Sequence, residues 1–373
     1  MKIGINARFL VLPYTGIGQY TRGLVRAMAK LKPEHEFILF TPELVDVDLP
    51  ANCKQIRVAE KPYRSASLRK AHWEHLLLPQ EMERFGINIA HFPYPCNPWK
   101  RLPMPTIVTV HDVIPWKLPD YREKFRSKFY HFYAKHALKK ADQILTVSEF
   151  SKREIMKTLK LKESIITVIP LAAPVADEAQ SFPELSLRRR FFIYAGGYDP
   201  RKNVPLLIRA FQKFIASQYP IDLILVGGKG KGLDAFVTDE HRQRVDKRYL
   251  TKPKGKVIFT DPLPQGELNC LYRQALALAH ISTYEGLNLS LIEAMSAGIP
   301  IIASDIPVHH EVAKDSALYV DPLDFNAVGN AMHQLVHDKA LQRELAKKGL
   351  ERAKDFSWEK AAEETLYIYS LYG

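Results

Sequence analysis

The stretch Arg190-Phe191-Phe192-Ile193-Tyr194-Ala195-Gly196-Gly197-Tyr198-Asp199-Pro200-Arg201-Lys202-Asn203-Val204 decides how the chain divides. It opens on a strand-length apolar run, passes two glycines and two adjacent cations, and enters an amphipathic segment with helical spacing over 204–217. A strand, a glycine turn and a helix in that order begin a parallel α/β unit. The same order stands at the start of the chain, with an apolar run at 2–6, then Thr15-Gly16-Ile17-Gly18, then a helical pattern at 18–30. Working outward in the first half, strands are expected at 2–6, 36–40, 87–91, 106–110, 143–147 and 165–169, and helices at 18–30, 67–85 and 150–159. In the second half, strands are expected at 191–195, 221–226, 256–259, 277–281, 299–303 and 317–320, and helices at 204–217, 266–275, 290–297 and 326–338. The pattern predicts two doubly wound parallel-sheet α/β domains, 1–173 and 190–356, joined by an aperiodic, proline-containing linker at 174–189. Ligands of open α/β sheets bind beyond the carboxyl ends of the strands, so functional residues are expected just after these runs.

Composition agrees with a two-domain globular chain. Its 373 residues are 46% hydrophobic and 25% charged, which excludes disordered and collagen-like classes. No apolar run approaches the roughly 20 residues of a bilayer-spanning helix. The opening Met1-Lys2-Ile3-Gly4-Ile5-Asn6 has no signal-peptide core, and three widely spaced cysteines suit neither a disulfide framework nor a zinc site. A cytoplasmic setting is the expectation. The net charge of +12 is uneven: residues 1–180 hold 28 Lys and Arg against 18 Asp and Glu, residues 181–373 hold 25 against 23. The first half is therefore expected to face something anionic.

Two loops could hold phosphate. Thr15-Gly16-Ile17-Gly18-Gln19-Tyr20-Thr21 opens a helix, where glycines admit close approach and free N–H groups favour anions. Nine residues separate Asn6 from Gly16, too many for a dinucleotide-binding turn, so an ordinary helix cap stands beside the anion-site reading. The second loop is stronger. Arg201 can fork two oxygens and Lys202 adds a compact charge, as a diphosphate requires. Cations at a helix start also oppose the helix dipole, and local rules broken in this way mark functional sites.

The third stretch is Tyr284-Glu285-Gly286-Leu287-Asn288-Leu289-Ser290-Leu291-Ile292-Glu293-Ala294. Glu285 sits in a loop and Glu293 about one turn into the next helix. An extended ligand lying across that helix N-terminus could meet both acids and the N–H groups of Leu287, Asn288, Leu289 and Ser290. Adjacent hydroxyls of a ribose and a sugar ring are natural partners of such carboxylates. A loop acid and a first-turn helix acid would be the structural alternative.

These residues together resemble the retaining family 4 glycosyltransferases, in the mannosyltransferase-like branch. The family signature is a Glu, a Gly-Phe-Gly-Leu-Pro-like loop and a second Glu at the spacing of Glu285 and Glu293. The resemblance extends over nearly the full length through Thr109-Val110-His111-Asp112, Val147-Ser148-Glu149-Phe150, Pro200-Arg201-Lys202-Asn203 and Phe356-Ser357-Trp358-Glu359. It implies a GT-B architecture, two Rossmann-like domains facing a central cleft, with a C-terminal helix in 357–373 packing back on the first domain. It implies that His111 and Glu285 meet the donor sugar, that Glu293 meets the ribose, that Arg201 and Lys202 meet the diphosphate, and that the Gly16 and Gly18 loop closes over it. Asn288 stands where the family has glycine, Ser290 where it has proline, and Gly197 where it has an arginine. Asn tolerates positive φ better than most side chains. His111-Asp112 taken alone also reads as a buried hydrogen-bonded pair or a cap.

The expected reaction is transfer of a hexose, best mannose from GDP-mannose, from a GDP- or UDP-hexose to a saccharide or lipid-linked acceptor. Configuration would be retained by front-face attack assisted by the leaving phosphate. Arg201 and Lys202 would stabilise the leaving charge in place of a metal, so no metal and no cofactor is expected. The alternatives are a GT-B sugar-nucleotide epimerase and, from another class, a basic nucleic-acid-binding protein; no nucleic-acid motif is visible, so no nucleic-acid partner is expected. The excess charge includes Lys124, Arg126, Lys128 and Lys135, interleaved with Tyr121, Phe125, Phe129 and Phe132 at helical spacing. That segment is either a core-packing amphipathic helix or a peripheral docking face for an anionic membrane surface.

Overall fold

A computed structural model describes residues 1–12, 15–118, 134–173, 189–227 and 254–373. The chain falls into two compact units, Met1–Ala172 with Ser357–Gly373, and Ala173–Phe356.

In the first unit the described residues form one parallel sheet of β1 (Lys2–Asn6), β2 (Glu36–Thr41), β3 (Cys53–Arg57), β4 (Ile89–Phe92), β5 (Thr106–Thr109), β6 (Gln143–Thr146) and β7 (Ile166–Val168). Their order is β3-β2-β1-β4-β5-β6-β7. Ile3 pairs in register with Phe37 on one side and Ile89 on the other, so the chain reverses direction across the sheet between β1 and β4. The expected strands are present with ends shifted by a residue or two. β3 is an addition. Its sequence, Cys-Lys-Gln-Ile-Arg, lies half exposed at the sheet edge and has no apolar run to announce it.

Helix α1 (Gly16–Leu31) buries Tyr20, Leu24, Val25 and Met28, one stripe at helical spacing. It begins where Thr15 Oγ1 accepts the Gly18 N–H at 3.1 Å. The helical stretch expected over 67–85 is broken in the middle: α2 (Ala66–His72) and α3 (Leu78–Arg84) flank a π turn at Trp73–Leu77. Pro79 has no N–H to give a carbonyl four residues back, and Leu78 N–H bonds Trp73 O instead. After β5 comes the short α4 (Ile114–Lys117), and α5 (Glu149–Leu159) follows β6, capped by Ser148 Oγ accepting from Ser151 N–H.

The C-terminal helix (Trp358–Ser370) belongs to this unit. The Trp358 ring lies where a Cβ on Gly23 would stand, 2.6 Å from it, so α1 needs glycine at that crossing. Tyr369 OH bonds His91 Nδ1 at 2.5 Å, and Tyr372 OH donates to Asp142 O at 3.0 Å.

In the second unit the strands are β8 (Phe191–Ala195), β9 (Asp222–Val226), β10 (Val257–Thr260), β11 (Ala277–His280), β12 (Ile301–Ser304) and β13 (Leu318–Val320). Among the described residues they form a parallel sheet in the order β10-β9-β8-β11-β12-β13. The helices are α6 (Val204–Phe211), which runs into a π turn at Gln212–Ala216, α7 (Gln265–Gln274), α8 (Leu289–Ser296), α9 (Pro307–Ala313), α10 (Phe325–His337) and α11 (Lys339–Ala353). The sequence reading did not anticipate α9 or α11. Phe211, Ile215, Leu223, Leu225, Met332 and Leu335 fill one face of the sheet. β8 pairs with β9 on one side and β11 on the other, so the switch point lies between β8 and β11, and their carboxyl ends open onto it.

Candidate functional site

The loop after β8 runs through Gly196 and Gly197 into a 3₁₀ turn, Pro200–Lys202, whose N-cap is Asp199. Asn203 follows in the left-handed region at φ 54° and starts α6. The loop after β11 returns beside this turn. Thr283 N–H donates to Arg201 O at 2.7 Å, and Arg201 Nη1 donates to Tyr284 O at 3.0 Å. Glu285 is thereby brought against both expected diphosphate cations. Its Oε2 accepts from Arg201 Nη1 at 2.6 Å and its Oε1 from Lys202 Nζ at 2.5 Å. Glu285 is only 5% exposed. Burial by itself would raise its carboxyl; Lys202, the contact with His280 and Arg201 outweigh that and hold it well below the usual carboxylate range. The three residues form one charge cluster at the switch point, with two positive charges on one negative.

The stretch from Leu287 to Ser290 leads from Glu285 into α8. Leu287 is buried, and Leu289 is half buried in the first turn. Asn288 adopts φ 82°, the conformation expected of it in the place of a glycine. Its Nδ2 donates to His309 Nε2 at 2.9 Å, and His309 Nδ1 donates to Ser304 O at 3.1 Å. Burial pushes His309 down to about 3, so it is neutral and fixed in one tautomer. Ser290 Oγ donates to Ala195 O at 2.9 Å, tying the start of α8 to the end of β8. A hydroxyl there supplies a link between strand and helix that a proline could not.

Glu293 stands apart from the cations. Tyr272 OH donates to its Oε2 at 2.9 Å and Gln265 Nε2 to its Oε1 at 3.2 Å, both from α7. These partners are neutral. Burial dominates, and the carboxyl is pushed up to about 7. The two glutamates have opposite electrostatics, one held ionised by cations and one made reluctant to ionise.

In the first unit, His111 follows β5. Its Nε2 donates to Pro93 O at 2.9 Å, and its ring meets Tyr20 edge-on at 4.7 Å. Burial lowers it to about 4, so it is neutral at physiological pH and Nδ1 is the acceptor nitrogen. Asp112 accepts the Ile114 N–H at 2.9 Å, a local turn ahead of α4. Tyr20 OH and His91 Nε2 both reach Thr109 Oγ1, each at 2.9 Å. Gly16 and Gly18 lie inside the first turn of α1. Space around Gly16 is open, whereas a Cβ on Gly18 would come within 2.5 Å of Leu12 O. Gly18 is thus required by the 3₁₀ turn Arg8–Val11 and its end at Leu12, which precede the helix, independently of any ligand.

Lys124, Arg126 and Lys128, with Tyr121, Phe125, Phe129 and Phe132, lie outside the described residues. Lys135 is described and half buried, and its Nζ donates to Thr158 O at 2.7 Å. A cation on the last-turn carbonyls of α5 serves the helix end. The chain also holds an Asp-x-Asp triplet, Asp46-Val47-Asp48, that the sequence reading passed over; Asp48 forms an ion pair with Arg26. His280, His309, Tyr272 and Gln265 were likewise missed. His280 alone carried a signal, as a titratable group at the carboxyl end of a strand.

Residues 14–176 match the family described as Glycosyltransferase Family 4, and residues 176–352 the family described as Glycosyl transferases group 1. The chain is 28% identical to O-antigen chain mannosyltransferase B of Escherichia coli, covering 100% of each chain. It is 33% identical to O-antigen chain mannosyltransferase RfbU of Salmonella typhimurium, over 58% of this chain and 57% of that one. Among solved structures, it resembles sucrose-phosphate synthase from Thermosynechococcus elongatus with a TM-score of 0.75 and 22% identity, covering 100% and 98% of the two chains. It resembles Anabaena HepE, solved with UDP and glucose, with a TM-score of 0.70 and 14% identity over 99% of each.

Proposed function

We propose that this chain, which belongs to the family 4 glycosyltransferases and shares their GT-B fold, transfers mannose from a nucleoside diphosphate sugar to a saccharide acceptor in O-antigen-type polysaccharide synthesis. The observation that carries the reading is the Glu285 cluster. Arg201 and Lys202 are gathered by one buried carboxylate at the carboxyl ends of β8 and β11, where a dianionic diphosphate can replace it as their partner. The identity of the sugar rests on the two O-antigen mannosyltransferases. GDP-mannose is the donor of choice.

In this reading Arg201 and Lys202 stabilise the charge that grows on the diphosphate as the glycosidic bond breaks. Glu285, released from part of that pairing, accepts from hydroxyls of the donor sugar. Glu293 accepts from the ribose, and the two hydroxyl donors draw it toward its ionised form. Neutral His111 offers Nδ1 as acceptor to a sugar hydroxyl. The acceptor attacks on the face the leaving group departs from, with configuration retained, and the protein cations act where a metal ion would otherwise stand. The enzyme works at the cytoplasmic face of a membrane, on an acceptor carried by a lipid diphosphate, and the basic composition around Lys124, Arg126 and Lys128 suits an anionic surface.

The test is transfer and donor hydrolysis by the purified chain across GDP-mannose, UDP-glucose, UDP-GlcNAc and UDP-galactose, each with and without excess EDTA. Turnover of GDP-mannose that survives EDTA is the expected result. A preference for any UDP-sugar overturns the donor, and activity lost to EDTA and restored by Mg²⁺ overturns the metal-free mechanism.

A further inference from the structure

His280, the last residue of β11, is fully buried, and neither ring nitrogen makes a hydrogen bond among the described residues. A neutral imidazole always carries one N–H, and a buried donor without an acceptor is costly. Its surroundings are well defined. The Tyr194 ring of β8 lies 5.1 Å away and the His309 ring of α9 6.3 Å away. The charged groups acting on it are Glu285, Lys202 and Arg201, and Nε2 is 3.5 Å from Glu285 Oε1. That separation is just beyond a good hydrogen bond, and Oε1 is the oxygen that Lys202 occupies at 2.5 Å.

We infer that His280 is a positioning residue whose Nε2–H takes over Glu285 Oε1 when Lys202 turns from that carboxylate to the donor diphosphate. The inference rests on the diphosphate reading of Arg201 and Lys202 given above. Two cations cannot keep a buried carboxylate fully paired while they neutralise a dianion. Glu285 would then be a buried charge beside a like charge, the arrangement proteins pay for most heavily. A donor already buried at 3.5 Å, touching the carboxylate only weakly while Lys202 holds it, removes that penalty with a shift of under about 1 Å. His280 suits the task because burial pushes it down to about 4, so it remains a neutral donor and adds no charge to compete with the diphosphate. The step is a change of hydrogen-bond partner, and no covalent bond is made or broken.

The test uses the full chain with GDP and UDP as probes. Affinity and proton uptake are measured by calorimetry at about pH 7.5 and about pH 6, in buffers of different ionisation heat. The forms compared are wild type, His280→Leu and His280→Gln, whose amide can place a donor near the Nε2 position. Without the donor, Glu285 beside the bound diphosphate takes up a proton. His280→Leu should therefore bind about tenfold more weakly than wild type at the higher pH, recover toward it at the lower, and take up more protons on binding. His280→Gln should follow wild type in both readouts. Glu293, raised to about 7, releases protons to the same extent in every form, so a merely structural histidine would leave proton uptake on binding as it is in wild type. A leucine variant that tracks wild type in affinity and proton uptake, or a glutamine variant as impaired as leucine, overturns the inference. If circular dichroism shows the leucine variant unfolded, His280→Met is read by the same criteria. Failure of both GDP and UDP to bind wild type is a different result: it overturns the diphosphate site itself, and this inference with it.

Discussion

Asn288 Nδ2 donates to His309 Nε2 across 2.9 Å while Asn288 holds φ at 82°. A side chain in α9 therefore helps fix the backbone of the loop that enters α8. Glycine would reach the same conformation without cost but would have nothing to anchor it. The loop gains a specific tether in exchange for glycine's freedom, and His309 is itself held by Ser304 O.

That tether sets an order of stabilities. Asn288→Gly keeps the backbone conformation and loses the amide bond, costing on the order of 1 kcal/mol. Asn288→Ala loses the bond and also strains a left-handed residue, adding roughly 1–2 kcal/mol. Thermal melts should rank wild type above Asn288→Gly and Asn288→Ala last; an alanine variant as stable as the glycine variant would refute the account.

Glu285→Gln should lower stability and raise diphosphate affinity together. It leaves two half-buried cations with an uncharged partner, a loss of roughly 1–3 kcal/mol, and it removes the carboxylate that competes with GDP for them. Transfer should fall by at least about a hundredfold, because the same charge faces the sugar. Weaker GDP binding in this variant would contradict the competition.

Glu293 makes stability fall as pH rises. Its carboxyl is raised to about 7 in the folded chain, against about 4.3 in an unfolded one. Below the lower value the folded state has the full benefit of a buried neutral acid, and it loses this benefit as pH climbs through about 7. The change is roughly 3–4 kcal/mol. Glu293→Gln should flatten this part of the pH–stability curve, and an unchanged slope in the variant would assign it to other groups.

Gly23→Ala drives a methyl into the Trp358 ring at 2.6 Å, where the helix crossing has no slack. A loss of roughly 1–3 kcal/mol is expected in the unit that holds α1, measured by its chemical denaturation. GDP affinity at the β8–β11 switch point should not change. A shift in that affinity would mean that the defect spreads beyond the crossing.

Changing Lys124, Arg126 and Lys128 to Glu should reduce binding to phosphatidylserine-containing vesicles at low salt. Each charge near the surface is worth about 1 kcal/mol and is screened over about 8 Å at physiological ionic strength. Lys135→Glu should mainly cost stability, since its ammonium is bound to Thr158 O. Vesicle binding that ignores salt, or that survives the triple change, would count against membrane docking by this segment.

Much of this arrangement was legible in the chain because it is written locally. Apolar runs at 191–195 and 277–281 announce β8 and β11, and their crevice follows from the general behaviour of parallel sheets. The positive φ of Asn288 could be anticipated from residue type. What escaped depends on partners far apart in sequence. β3 is a polar edge strand, recognisable only by its pairing with β2. The π turn at Trp73–Leu77 interrupts a pattern that periodicity alone extends unbroken. That Lys202 and Arg201 grip Glu285, 83 and 84 residues away, cannot be read from either stretch alone. The bond of Lys135 to Thr158 O is of the same kind, because composition reports charge and not which carbonyl receives it.

The C-terminal helix bears on how the protein is made. A ribosome releases the chain from its amino end, yet the unit containing Met1 is closed by Trp358, Tyr369 and Tyr372. The intervening unit, Ala173–Phe356, is contiguous and can complete its own core as soon as it has emerged. The first unit to be synthesised is then the last to be finished, waiting with the groove beside Gly23 and the His91 nitrogen uncovered until Trp358 and Tyr369 have been made. A frameshift ahead of Trp358 would therefore be felt more than 300 residues earlier in the chain, in the sheet that begins at Lys2.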